Sequence, residues 1–144
     1  MKTVRDILQV KGDKVVTICE DLTVLAALVK MAEADIGALV VVDDAGAAIG
    51  ILSERDYARK VILKGASSPQ TLVKTIMSER VVYVRPQQTV EECMALVTEK
   101  RCRHLPVMED GKLLGLVSIG DLVKASISEK EFLINQLTNY IQSS

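Results

Sequence analysis

The sequence predicts an α/β fold, of the α+β kind, built from two βαββα units packed through their sheets about a pseudo-two-fold axis. Three observations predict it. Gly50-Ile51-Leu52-Ser53-Glu54-Arg55-Asp56 returns as Gly115-Leu116-Val117-Ser118-Ile119-Gly120-Asp121, so Gly, two apolar residues, Ser, two variable residues and Asp occur twice. An internal repeat of this kind outranks any single element as a guide to architecture. From the first extended segment to the first hairpin turn, segments recur 66 residues on, and segments after the turn 65 on, because the first turn is one residue longer. The chain of 144 residues is 49% hydrophobic and only 3% aromatic, with no Trp, which supplies aliphatic core for one ordinary domain or two small ones. A unit of about 60 residues buries too little surface to stand alone comfortably. Packing the two sheets together is the economical solution, and it would leave two equivalent clefts between the halves.

The elements follow in order. Val4 to Leu8 form a short helical lead-in whose counterpart is Val73-Lys74-Thr75-Ile76-Met77. After a polar loop, Lys11-Gly12-Asp13-Lys14, the extended segment Val15-Val16-Thr17-Ile18 matches Val81-Val82-Tyr83-Val84. Thr23 then caps a helix whose Val24, Ala27, Leu28 and Met31 share one face. In the second half Thr89 is the cap, Glu92 completes a capping box, and Val90, Cys93, Met94 and Val97 form the face. Each helix gives way to a hairpin: Ala38–Val42 and Ala48–Leu52 around Asp43-Asp44-Ala45-Gly46, then His104–Met108 and Leu113–Val117 around Glu109-Asp110-Gly111. The first strand of the first hairpin is apolar without alternation, as a strand buried on both faces would be. Pro106 lacks a ladder donor and belongs at an edge or irregularity. Gly50 and Gly115 inside strands signal a bulge or a close backbone approach. Closing helices run from Asp56 to Leu63 and from Asp121 to about Ile127, and Ser128 can cap a last amphipathic helix carrying Phe132, Leu133, Leu137, Tyr140 and Ile141. The resulting divisions are 1–63, a linker at 64–71, 72–128, and a C-terminal helix at 129–144.

Several function classes are set aside by bulk properties. A net charge of −1 argues against a nucleic-acid surface. The longest apolar runs fall far short of the roughly 20 residues that span a bilayer, and no apolar signal core follows the N-terminal charges. Cys19, Cys93 and Cys102 have no metal-type spacing and read as reduced thiols of a cytoplasmic protein. No metal site is expected. The one His, His104, has no nucleophile at a recognisable spacing, so an enzyme is not expected either.

The paired Gly-x-x-Ser-x-x-Asp motifs, the lead-in at 73–77 and Arg103-His104-Leu105-Pro106-Val107 together resemble a tandem pair of cystathionine-β-synthase (CBS) domains, a Bateman module, from about Val4 to Ile127. The small stand-alone bacterial type is the nearest likeness. The resemblance implies two βαββα units and a regulatory, signal-transducing role in which AMP, ATP or NAD, less readily S-adenosylmethionine, binds between the repeats. It also implies a disc-like homodimer and a separate downstream protein partner, with no catalytic cofactor. The competing reading is a ligand-independent dimerisation or interaction protein that works through its C-terminal helix.

Ser-x-x-Asp is by itself a helix-cap pattern, and a strand-to-helix junction also favours anions. By resemblance, Asp56 and Asp121 hold the ribose hydroxyls, and Ser53 and Ser118 hold ribose or phosphate. Arg103 and His104 supply phosphate contacts, an Arg fork being suited to phosphate. Arg55 is a further cation. The adenine slot is expected near Val16, Thr17, Ile18, Gly37, Ala38, Val82, Leu105 and Pro106. Arg103-His104 answer to Gly37-Ala38, and Arg55 answers to Gly120, so the two sites should be unequal.

Overall fold

Each half of the chain starts its main helix at a threonine. Thr23 accepts a hydrogen bond from the Ala26 amide (3.2 Å) at the head of α2 (Val24–Ala34), the helix that follows the lead-in helix α1 (Val4–Lys11). Thr89 accepts from the Glu92 amide (3.1 Å) at the head of the equivalent helix Val90–Lys100. Both helices end on a residue in the left-handed region, Asp35 and Arg101. The computed structural model describes residues 1–12 and 15–143. Of the polar loop expected at 11–14, Lys11 closes α1, Gly12 caps it at φ 96°, and Asp13 and Lys14 lie outside the described residues.

In the first half, β1 (Thr17–Cys19), β2 (Ala38–Val42) and β3 (Ala48–Ser53) form a sheet in that order, β1 parallel and β3 antiparallel to β2. Residues 38–41 of β2 are buried in succession, so both faces are covered, as the unbroken apolar run requires. The chain then enters α3 (Glu54–Tyr57), which widens into a π-helical turn at Ala58–Ile62. A short α4 (Val73–Ile76) comes next, then the Thr89-capped helix, α5. The second hairpin pairs β4 (His104–Glu109) with β5 (Lys112–Ser118) as a two-stranded antiparallel sheet.

The extended segment expected at 81–84 does not become a strand; a single parallel bridge, Val84 with Val107, remains. Two prolines explain the loss. In the first half, the Val40 amide donates to the Val16 carbonyl (3.4 Å) and the Glu20 amide to the Val42 carbonyl (3.3 Å). At the 66-residue offset those two donors are Pro106 and Pro86, which have no N–H. Only the rung between them survives, through Val84 N–H to Pro106 O (3.0 Å) and Met108 N–H to Val84 O (2.9 Å).

The last helix also differs from expectation. A closing helix and a separate Ser128-capped helix are expected, whereas one uninterrupted α6 spans Ile119–Ser143. No Gly or Pro falls between Asp121 and Ser143 to stop it, and the Ser128 hydroxyl accepts from Lys2 Nζ (3.2 Å) instead of capping.

Cα packing divides the chain into Lys14–Val81 and a second unit that joins Met1–Asp13 to Val82–Ser144. Each lead-in helix therefore packs with the sequence repeat it does not precede. The amides of Val4 and Arg5 donate to the carbonyls of Gln88 and Pro86 (both 2.9 Å), and Val90 N–H returns to Lys2 O (3.0 Å). Residues 69 positions later repeat the pattern: Val73 and Lys74 donate to Leu22 and Glu20 (2.9 and 3.0 Å), and Val24 N–H donates to Thr71 O (2.8 Å). Matching positions fill the two cores, with Ile7, Val90, Leu105 and Val107 in one and Ile76, Val24, Leu39 and Val41 in the other.

The strand glycines receive these lead-ins. A Cβ on Gly50 would stand 2.7 Å from Met77 Sδ and 3.0 Å from the Ser78 carbonyl, and one on Gly115 would stand 2.7 Å from Leu8 Cδ2. Each glycine also adjoins the register shift in its hairpin. Close approach and bulge therefore coincide at both positions.

Candidate functional site

The repeated motif folds into the same strand-to-helix corner in both units. In the first, Ser53 is extended at φ −120°, accepts from the Asp56 amide (3.2 Å), and donates through its own amide and hydroxyl to Asp56 Oδ2 (3.0 and 3.1 Å). In the second, Ser118 accepts from the Asp121 amide (3.1 Å), and its amide donates to Asp121 Oδ2 (2.9 Å). The first helical amide is taken as well: Glu54 N–H donates to Gly37 O and Ile119 N–H to Arg103 O, each at 3.0 Å. Two of the first three amides at each corner are thus already bonded. The Ser hydroxyl and the Gly37 or Arg103 carbonyl thus take two of the donors at the helix N-terminus expected as an anion site, and the Asp carboxylate caps the Ser amide.

Strand register assembles the rest of each corner. Ala38 pairs with Ser53 and His104 with Ser118, so the residue pairs Gly37-Ala38 and Arg103-His104 lie beside the motif of their own repeat. Arg103 is exposed and His104 half-buried at the start of β4. Arg55 is exposed on the first turn of α3. Among the adenine-slot candidates, Val16, Thr17 and Val82 are half-buried and Gly37 is exposed, while Ala38 and Pro106 are buried. Ile18 and Leu105 point into the cores of their units, which leaves only their backbone for other contacts.

Two lysines that sequence reasoning missed stand at the motif carboxylates. Lys60 Nζ lies 3.7 Å from Asp56 Oδ1 and donates to the Ile76 carbonyl (2.9 Å). Lys11 Nζ donates to Asp121 Oδ2 and to the Leu116 carbonyl, both at 2.6 Å. The first pair was legible, since Asp56 and Lys60 are one helical turn apart. The position equivalent to Lys60 is Ala125, so the second motif takes its cation from α1, 110 residues away in sequence. Burial pushes the Asp121 carboxyl up, yet the Lys11 ammonium and the Ser118 amide and hydroxyl together hold it below the ordinary carboxylate value.

Asp121 and Lys11 line a cavity of about 330 Å³ between α1 and α6, with Lys2, Asp6 and Lys124 at its polar edge and Ile7 and Val10 on its wall. A larger cleft of about 730 Å³ sits at the turn of the β4–β5 hairpin, against Tyr83, Arg85, Gln88 and Glu109–Gly111, and holds no motif residue. Among the described residues no group of three His, Cys, Asp or Glu side chains could hold a metal ion. None of the described helices is long and apolar enough to cross a membrane.

Comparison with known proteins bears on the fold. The family model for the CBS domain matches twice, at residues 3–63 and 73–128. The CBS domain-containing protein CBSX3, mitochondrial, of Arabidopsis thaliana is 39% identical over 97% of this chain and 72% of its own length. A CBS-domain structure from Burkholderia ambifaria, described as a candidate signal-transduction protein, is 51% identical with a TM-score of 0.82, covering 88% of this chain and 95% of that one. A hexameric CBS-CP12 protein from bloom-forming cyanobacteria is 30% identical with a TM-score of 0.76, covering 84% of this chain and 66% of that one.

Proposed function

Since the chain belongs to the CBS-domain family, as a tandem pair of its repeats, we propose that it is a regulatory module that binds adenine-containing ligands at its two Ser-x-x-Asp corners. One observation carries the reading. Both capping boxes close through Oδ2 of the aspartate, so Oδ1 of Asp56 and of Asp121 lies outside the box. A carboxylate held this way is oriented before any ligand arrives, and its outer oxygen suits vicinal ribose hydroxyls. Arg103 and His104 beside Ser118, with Lys11 at Asp121, make the second corner the more cationic and the better phosphate site. The first corner offers Arg55 and Lys60. AMP, ATP and NAD are the ligands expected. The output is a change of shape or assembly read by a separate protein, and no residue is assigned to catalysis. Homodimerisation in the disc-like arrangement of CBS modules belongs to the same proposal, and the hexameric cyanobacterial relative supports assembly as a family habit.

Thermal unfolding with each ligand is the test. A ligand at 100 times its dissociation constant adds about 2.7 kcal/mol to the folded state, which moves the midpoint by several degrees. Asp56→Asn and Asp121→Asn keep an oxygen for the cap and remove the charge, so each should weaken one site and spare the other. If AMP, ATP, NAD and S-adenosylmethionine all leave the midpoint unmoved, nucleotide sensing is wrong and the motif is a cap only.

A further inference from the structure

We infer that the C-terminal half of α6 is a self-association surface, covered in solution by the same segment of a second copy of this chain. Leu133, Ile134, Leu137, Tyr140 and Ile141 fall at i, i+1, i+4, i+7 and i+8, one broad face of a helix, while Phe132 lies on the other side with Asn135, Gln136 and Asn139. All six are exposed, between 54% for Leu133 and 73% for Tyr140. A contiguous patch of this kind on a soluble surface marks an interface. At roughly 100 Å² for each of the five side chains on the face, two copies would cover about 1,000 Å² in total, the threshold that a biological interface has to reach.

The charge pattern selects the occupant. From Phe132 to Ser143 there is no Asp, Glu, Lys or Arg. Two copies can therefore meet without setting like charges against each other, whereas a charged partner would find nothing to steer on. The opposite face carries Asn135, Gln136, Asn139 and Gln142, not the Lys and Arg of a helix that lies on an anionic membrane. Just upstream, Glu129-Lys130-Glu131 presents both signs, which two copies can pair across the contact. The inference stands on α6 alone and is independent of nucleotide binding.

Sedimentation equilibrium of the full chain tests it, alongside Leu133→Asp/Leu137→Asp and the milder Leu133→Ala/Leu137→Ala. The parent should sediment at twice or more its monomer mass of 15.7 kDa. The Asp variant should lose half that mass or more with an unchanged far-ultraviolet spectrum, and the Ala variant should raise the dissociation constant at least tenfold. Should the Asp variant unfold, the Ala variant decides. A parent that stays monomeric to about 100 μM, or a folded variant whose mass equals the parent's, overturns the inference. So does flotation of a monomeric parent with phosphatidylserine vesicles, which would make the face a lipid surface.

Discussion

A methyl group added at Gly50 should cost more than the same methyl at Gly115, although the two glycines occupy equivalent places. At Gly50 the new Cβ would meet Met77 Sδ at 2.7 Å and the Ser78 carbonyl at 3.0 Å. The thioether can swing away, but the carbonyl cannot, because it accepts from Ile51 N–H (2.9 Å) while Ser78 N–H donates to Ile51 O (2.8 Å). At Gly115 the nearest atoms all belong to the Leu8 side chain, with Cδ2 at 2.7 Å and Cδ1 at 3.4 Å, and a change of rotamer relieves it. Overpacking that moves backbone costs about 1–3 kcal/mol, and an off-rotamer side chain about 0.5–1.5 kcal/mol. Against both stands a gain of about 0.4–1 kcal/mol from the stiffer unfolded chain. The expected net destabilisation is about 2 kcal/mol for Gly50→Ala and under about 1 kcal/mol for Gly115→Ala, read from urea unfolding at constant slope. Combining each with removal of its neighbour sharpens the test: Leu8→Ala should rescue Gly115→Ala fully, Met77→Ala should rescue Gly50→Ala only in part. Equal costs, or full rescue by Met77→Ala, would refute the role given to the Ser78 carbonyl.

Other outcomes follow from the same geometry. Asp121 has its folded pKa below the unfolded value of 3.8, so its contribution is present above that pH and is lost as the pH falls through the folded pKa. Acid unfolding of Asp121→Asn should therefore lack this loss, and Lys11→Met should shift the Asp121 carboxyl resonance titration upward. Burial, with Glu92 adjacent, pushes the Cys93 thiol up to about 11, so a thiol reagent at pH 8 should spare Cys93 in the native protein and modify exposed Cys19 first. Pro106→Val restores the donor that the Val82 carbonyl lacks. The new Val amide should show slowed hydrogen exchange, and exchange at the rate of a free amide would mean that sterics, not the missing N–H, hold residues 81–84 apart.

Much of this architecture was legible because it rests on short-range chemistry. Thr23, Thr89 and the two Ser-x-x-Asp motifs are caps written within four residues, and the hairpins follow from acidic-Gly turns between apolar runs. What stayed hidden depends on distant partners. Pro86 and Pro106 delete a strand only when both are set against their counterparts Glu20 and Val40. Lys11 reaches Asp121 from the far end of the chain, though Ala125 in place of Lys60 marks the vacancy it fills. The fused α6 is a matter of omission, since Ser128 can cap a helix but nothing near it ends one. Ligand residues are less legible still, because a cap and a ribose site ask for the same side chains.

The exchanged lead-in helices bear on how the chain is made. Every contact within Lys14–Val81 can form as soon as residue 81 has been synthesised. Lys2, Val4 and Arg5 instead pair with Val90, Gln88 and Pro86, so α1 must wait while the whole intervening unit is assembled. A segment made before that unit thus finds its place only after it. Folding of the 82–144 unit carries a long-loop closure that its twin avoids. Two structurally similar units should consequently fold on different schedules, the continuous one first.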